Sequence, residues 1–284
     1  MMLRCGRFDV DLAEPRVMGI VNVTADSFSD GGLYLDANAA IAHAHRLIEE
    51  GAHFIDIGAE SSRPGAAPLP LEIELARLLP VIAALRDAPV PISVDTMKPE
   101  VMHRALDAGA SMINDITGFR AQSALESVVK SGCALCVMHM QSDPQTMQAA
   151  PRYDDVVAEV KAFLAARRDA LTAAGIAHDR IVVDPGFGFG KTVGQNFEML
   201  RRFDEFAALG VPLLAGLSRK SMLGAVTGKP VGERLAASIA AALAAVARGA
   251  GIVRVHDVAA TVEALAVWRA TLTSAFGEGS LSEC

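Results

Sequence analysis

Pro91-Ile-Ser-Val-Asp-Thr96, a two-residue link, Pro99-Glu-Val-Met-His-Arg-Ala-Leu-Asp-Ala108, then Gly109, then Met112-Ile-Asn-Asp-Ile-Thr117: the reading of this stretch decides the fold. Two short runs rich in Val and Ile flank a segment that opens on Pro and stops before Gly. Pro suits the first helical turn, and Gly suits the position just past the last one. The flanking runs show little polar alternation, as strands buried on both faces should. The spacing therefore predicts strand, helix, strand, the unit of a parallel sheet.

The same alternation extends outward in both directions. Strands are predicted over 18–24, 54–60, 91–96, 112–117, 134–140, 181–185, 212–218 and 251–256. Helices are predicted over 37–50, 71–86, 99–108, 123–131, 154–174, 195–208, 232–248 and 258–275. Eight strand–helix pairs predict an α/β chain folded as a single (β/α)8 TIM barrel rather than a doubly wound sheet. Residues 18–276 make the barrel. Residues 1–17 are a short N-terminal extension, read as a small hairpin that can plug the barrel floor. Residues 277–284 form a polar, Gly-rich tail expected to fray.

Length agrees with this reading, because a barrel of roughly 250 residues consumes nearly all of a 284-residue chain. Hydrophobic residues reach 51% and charged residues 21%, the balance of a globular chain. The 26 basic against 33 acidic residues leave a net charge of −7, which argues against a broad nucleic-acid surface. No export signal or spanning segment is read; the apolar stretch 235–247 is short and lies between Arg234 and Arg248. Four Cys favour a reducing compartment, so a cytoplasmic location without membrane attachment is expected.

A βα barrel carries its active site at the C-terminal strand ends. Polar residues collect there: Asn22, Asp56, Asp95, Asn114 with Asp115, His139, Asp184, Ser218-Arg219-Lys220, and Arg254 with His256. A lone Asp at a strand end reads as a cap or surface ion pair; convergence from most strands does not. Arg254 and His256 stand two apart and so share one side of their strand. Two cationic or donor groups at one rim suit an anion such as phosphate, so His256 counts here with the cations Arg63, Lys220 and Arg254. Asp95, Asn114 and Asp184 offer acceptors to a heterocycle with a paired-donor edge, with Lys220 positioned to offset their charge.

The motifs quoted in order resemble those of the dihydropteroate synthase family. They are Met18-Gly-Ile-Val-Asn-Val-Thr-Ala-Asp-Ser-Phe-Ser-Asp-Gly-Gly32, Gly58-Ala-Glu-Ser-Ser-Arg-Pro-Gly65, Ser93-Val-Asp-Thr96, Ile113-Asn-Asp-Ile116, Val137-Met-His-Met-Gln141, Asp184-Pro-Gly-Phe-Gly-Phe-Gly-Lys191, Ser218-Arg-Lys-Ser221 and Arg254-Val-His-Asp257. Ala25, Ala59 and Ser62 depart from the residues usual there, and Ser62 keeps the hydroxyl. The resemblance implies condensation of 6-hydroxymethyl-7,8-dihydropterin diphosphate with p-aminobenzoate in folate biosynthesis. It implies pterin contacts from Asp95, Asn114, Asp184 and Lys220, and diphosphate contacts from Asn22, Ser62, Arg254 and His256. It implies p-aminobenzoate contacts from Arg63, Pro64, Phe189, Lys220 and Ser221, Mg2+ as cofactor held through Asn22, and a homodimer. A rival, a pterin-binding barrel that passes a methyl group to a corrinoid protein, would share the pterin contacts. It would not need Ser62, Ser218-Arg219-Lys220 or the Arg254/His256 pair.

Two further patterns are read as decoys. The run 186–192 imitates a nucleotide-binding loop, but Pro185 stands where that loop needs Gly. Cys133 and Cys136 form a C-x-x-C at the barrel floor with no second pair, and read as core thiols.

Overall fold

Eight parallel strands stand side by side: β3 (Arg16–Asn22), β4 (Phe54–Gly58), β5 (Ile92–Asp95), β6 (Met112–Asp115), β7 (Ala134–Met138), β8 (Ile181–Asp184), β9 (Leu214–Ala215) and β10 (Ile252–Val255). Their order is β8-β7-β6-β5-β4-β3-β10-β9. The ring closes where Val183 bridges Leu213 in parallel and the Val183 N–H donates to the Pro212 carbonyl at 3.0 Å. The computed structural model describes residues 1–23, 32–61, 67–143 and 145–272, without the side chains of 32–36. Ser62, Arg63, Pro64 and the tail 277–284 therefore lie outside the described residues.

Helices follow the strands and cover the outer face. α3 (Pro99–Ala108) matches its predicted bounds: Pro99 opens it, Val101, Met102 and Ala105 face inward, and Gly109 closes it at φ 118°. α6 (Val193–Arg201) starts on a capping box between Thr192 and Gln195. It stops earlier than predicted, because residues 203–209 tighten into a 3-10 turn that buries Phe203, Phe206 and Leu209. β9 shrinks to two residues. Sequence reading also overlooks the short α7 (Ser221–Thr227), whose Met222 and Leu223 are buried and whose end is marked by Gly228.

Before the barrel, β1 (Met2–Cys5) and β2 (Phe8–Asp11) pair antiparallel. Gly6 takes φ 61° at their turn, and its N–H donates to the Gly132 carbonyl at 3.0 Å. Leu3 and Cys5 pack with Met18, Phe54, Met112, Ala134, Cys136, Val182, Leu214 and Ile252. That cluster is the apolar floor of the barrel interior, and the hairpin seals it from below. Each large side chain buried there contributes roughly 1.5–3 kcal/mol. Cys5, Cys133 and Cys136 are free, buried thiols, each with its pKa raised by burial, so they serve as core.

Candidate active site

Strand parity carries the floor into the site. Phe54, Met112, Val182 and Ile252 belong to the floor. Two residues further along the same strands stand Asp56, Asn114, Asp184 and Arg254. Alternate residues of a strand share a face, so these four form the next interior layer toward the C-terminal ends. Ser93 precedes Asp95 in the same way, and Asn22 follows Met18 and Ile20. The polar mouth is thus one layer above an apolar seal.

Arg254 lies at the centre of this layer. Its Nε donates to Asp56 Oδ2 at 2.5 Å and its Nη2 to Asp95 Oδ2 at 3.0 Å. Asn114 Nδ2 donates to the same Asp56 oxygen at 3.2 Å. That bond turns the Asn114 carboxamide oxygen away from Asp56. Among the described residues, the buried Asn114 Oδ1, Asp56 Oδ1 and Ser93 Oγ have no hydrogen-bond partner. Buried polar groups left in this state suit a ligand bearing donors. Asp184 accepts from the Gly186 N–H at 2.7 Å, and a Cβ on Gly186 would fall 2.0 Å from the His139 carbonyl oxygen. Gly is therefore required there.

The charges are unevenly balanced. Burial raises the Asp95 pKa; Arg254 pulls it back, and Asp56 and Asp115 push it up again. Asp184 is raised by burial, against the Gly186 N–H and Lys220. Burial and then Arg254 lower Lys220 to about 8, while Asp184 and Asp95 oppose them. Burial disfavours the Arg254 charge too, yet Asp56 and Asp95 outweigh it and hold the guanidinium protonated.

His256 sits at the rim, held by Ser218. Ser218 Oγ accepts from the His256 backbone N–H at 3.2 Å and lies 2.9 Å from Nδ1. With the hydroxyl donating to Nδ1, Nε2 carries the ring proton. Burial, then Arg219 and Arg254, push the His256 pKa down to about 4. Sequence reading counts His256 with the cations; the structure makes it a neutral donor near pH 7. Arg219 turns aside at φ 58° and grips Asp257 through Nε at 3.1 Å and Nη2 at 2.6 Å. Lys220 is left facing the mouth.

An apolar wall completes the site. Phe189 packs with Ile116, Met138, Met140 and Met147, beside Met97. Lys220 Nζ lies 4.2 Å from the centre of the Phe189 ring, a cation–π distance. Ser221 is exposed at the start of α7. Asn22 is exposed at the end of β3, on the strand's inward parity. No group of three His, Cys, Asp or Glu able to hold a metal occurs among the described residues. One carboxamide oxygen at the rim fits Mg2+ bound through substrate diphosphate and water, the way this ion usually binds.

The structure thus brings Asp95, Asn114, Asp184, Lys220, Arg254 and His256 to one mouth, with Phe189, Ser221 and Asn22 around it. Ser62, Arg63 and Pro64 fall outside the described residues. Asp56 and Ser218 stand at strand ends in the sequence, yet neither is among the individual substrate contacts that the resemblance implies. Their signal was parity: Asp56 is two past Phe54, and Ser218 is two before Lys220.

The sequence profile of the family described as "Pterin binding enzyme" matches residues 18–256. The chain is 48% identical over 266 residues to the dihydropteroate synthase of Escherichia coli K12, covering 93% of this chain and 94% of that one. Among solved structures, it is 52% identical to Burkholderia cenocepacia dihydropteroate synthase complexed with 7,8-dihydropteroate, with TM-score 0.87 over 95% of this chain and 96% of that one. It is 50% identical to Xanthomonas albilineans dihydropteroate synthase with 4-aminobenzoic acid, with TM-score 0.89 over 96% and 98% of the two chains.

Proposed function

Because the chain belongs to the dihydropteroate synthases of the pterin-binding enzyme family, we propose that the mouth around Arg254 joins a pterin diphosphate to p-aminobenzoate. The products are 7,8-dihydropteroate and pyrophosphate. The aryl amine nitrogen forms a bond to the pterin methylene. The carbon–oxygen bond to diphosphate breaks, its electron pair leaves with pyrophosphate, and the nitrogen gives up a proton to solvent.

An aryl amine is a usable nucleophile without a strong base, so the main task is to stabilise charge on the leaving group. Asp95, Asn114, Asp184 and Lys220 hold the pterin. The unpartnered Asn114 Oδ1, fixed by Asp56, supports this reading because it offers an acceptor to a ring donor. The carboxylates beside the methylene favour positive charge developing there. Arg254, the His256 Nε2–H and Ser62 take the diphosphate. Arg254 serves two masters here, since it also neutralises Asp56 and Asp95. Asn22 would hold Mg2+, which supplies charge neutralisation for diphosphate. Phe189, Lys220, Ser221, Arg63 and Pro64 surround p-aminobenzoate.

The observation that carries this reading is one guanidinium bound between the buried Asp56 and the half-buried Asp95, beside a ring-binding wall, at the mouth of a sealed barrel. A homodimer in the cytoplasm belongs to the same proposal; light scattering tests the dimer. Among the described residues no helix is long and apolar enough to cross a membrane. The deciding experiment is p-aminobenzoate-dependent release of pyrophosphate from the pterin diphosphate with Mg2+. Folded protein that releases none rejects the reaction.

A further inference from the structure

Lys191 is almost fully buried and has no part in the chemistry above. Its Nζ lies 2.8 Å from the Gly186 carbonyl oxygen, 3.0 Å from that of Phe189 and 3.0 Å from His139 Nδ1. The His139 carbonyl is more distant at 3.4 Å. Burial pushes the His139 pKa down to about 2, so its ring is neutral and Nδ1 is free to accept. Burial lowers the Lys191 pKa to about 7, against Asp184; when protonated the amine has three donors, and three good acceptors converge on it. The arrangement inverts a phosphate-binding loop: carbonyls, rather than N–H groups, point into the turn.

The turn that Lys191 fills carries Phe189. Gly186, Gly188 and Gly190 all take positive φ, at 71°, 82° and 65°, so the chain folds back tightly around the amine. Other bonds secure the same turn from outside. The Gly188 N–H donates to Asn196 Oδ1 at 2.7 Å, Gln148 Nε2 donates to the Gly188 carbonyl at 2.6 Å, and the Tyr153 hydroxyl donates to that of Gly190 at 2.9 Å. The exit from this turn is the Phe189 ring, 4.2 Å from Lys220 Nζ. A Cβ on Gly188 would come within 3.2 Å of Lys220 Cδ, so the Lys220 stem lies along the turn's backbone.

We propose that Lys191 is a positioning residue: by holding the Gly186 and Phe189 carbonyls against His139, it fixes the Phe189 ring on Lys220 and shapes the p-aminobenzoate end of the mouth. The inference rests on the p-aminobenzoate reading given above. It touches neither substrate, and its effect passes through Phe189.

The test is a double-mutant cycle between Lys191→Gln and Phe189→Leu on the full chain. Lys191→Gln alone raises the KM for p-aminobenzoate by about tenfold and the KM for pterin diphosphate by less than about threefold. In the Phe189→Leu background the same substitution changes the p-aminobenzoate KM by less than about twofold. Equal rises in both KM values, or additive effects in the cycle, overturn the proposal. Should Lys191→Gln fail to fold, Gln148→Ala loosens the same turn from its exposed side and must show the same coupling to Phe189. A crystal structure of the Lys191→Gln protein, or of Gln148→Ala in its place, reads the point without any substrate. Displacement of the Phe189 ring from Lys220 supports it, and an unchanged ring position overturns it even if the proposed reaction fails.

Discussion

Arg254 and Asp56 stand 198 residues apart in sequence and 2.5 Å apart in space, with Asp56 wholly buried. Removing one partner of a buried pair costs more than the pair contributes, because the other charge is stranded. The sequence alone suggests that Arg254→Ala would lose turnover and keep its fold intact. The pair changes that expectation: Arg254→Ala loses about 3 kcal/mol of stability as well. Adding Asp56→Asn restores most of that stability but not pyrophosphate release, which stays down by about a hundredfold or more. Denaturant melts and a pyrophosphate assay on the single and double variants check this. Equal stability of the two variants would refute it.

Asp95 tests the conflict between stability and catalysis. Its folded pKa lies above the ordinary carboxylate value, chiefly through burial. The native state therefore binds the extra proton, and stability falls as pH rises through the raised pKa. Asp95→Asn removes the charge but keeps an acceptor for Arg254. At pH 7 it stabilises the empty protein by about 1 kcal/mol, roughly 2 °C in Tm, while turnover falls sharply. A lowered Tm would show that the Arg254 contact outweighs the burial cost.

The His256 ring works in the opposite direction on pH. Its pKa falls from 6.5 unfolded to about 4 folded, through burial and then Arg219 and Arg254. Between those values the unfolded chain binds more protons, so stability drops as pH drops. Between pH 6.5 and 5 this one ring accounts for about 2 kcal/mol of loss. In His256→Asn that part of the acid slope disappears. Urea melts across that range compare the two proteins, and parallel slopes would count against a ring held neutral in the fold.

Leu3 measures the worth of the seal. It is fully buried among the floor residues, although it belongs to the two-stranded hairpin outside the ring. Leu3→Ala costs about 2–5 kcal/mol, as other large-to-small core changes do. The KM values stay near wild type, because the polar layer is carried by other strands. A change in KM larger than the loss of stability would tie the floor directly to the mouth.

Much of the fold was legible because a barrel strand buries both faces and every helix needs a start and a stop. Pro99 and Gly109 marked α3 at both ends. Most of the polar mouth was legible as well, since the C-terminal ends of successive strands carry it. What sequence could not rank was partnership. Asp56, Asp95 and Asp184 look alike in the chain, and only closure of the ring hands Asp56 and Asp95 to Arg254 and Asp184 to the Gly186 N–H. His256 looked cationic because its neighbours in space, Arg219 and Arg254, were not yet known to crowd it. Lys191 looked like part of a failed nucleotide loop because nothing local shows that its amine turns inward. The short α7 escaped because seven residues hold too few turns for periodicity to register.

The hairpin at the barrel floor also imposes an order on synthesis. It is made before every barrel strand, yet Cys5 rests on the Ser111 carbonyl, 106 residues later, and Gly6 on that of Gly132. Leu3 and its neighbours thus wait, exposed, until strands more than 100 residues further on have emerged. Contacts of such long range make for slow folding and leave apolar surface open to other chains in the interval. The same β1–β2 segment that steadies the finished barrel is therefore apolar surface that a nascent chain leaves open to aggregation, and a handhold for a chaperone.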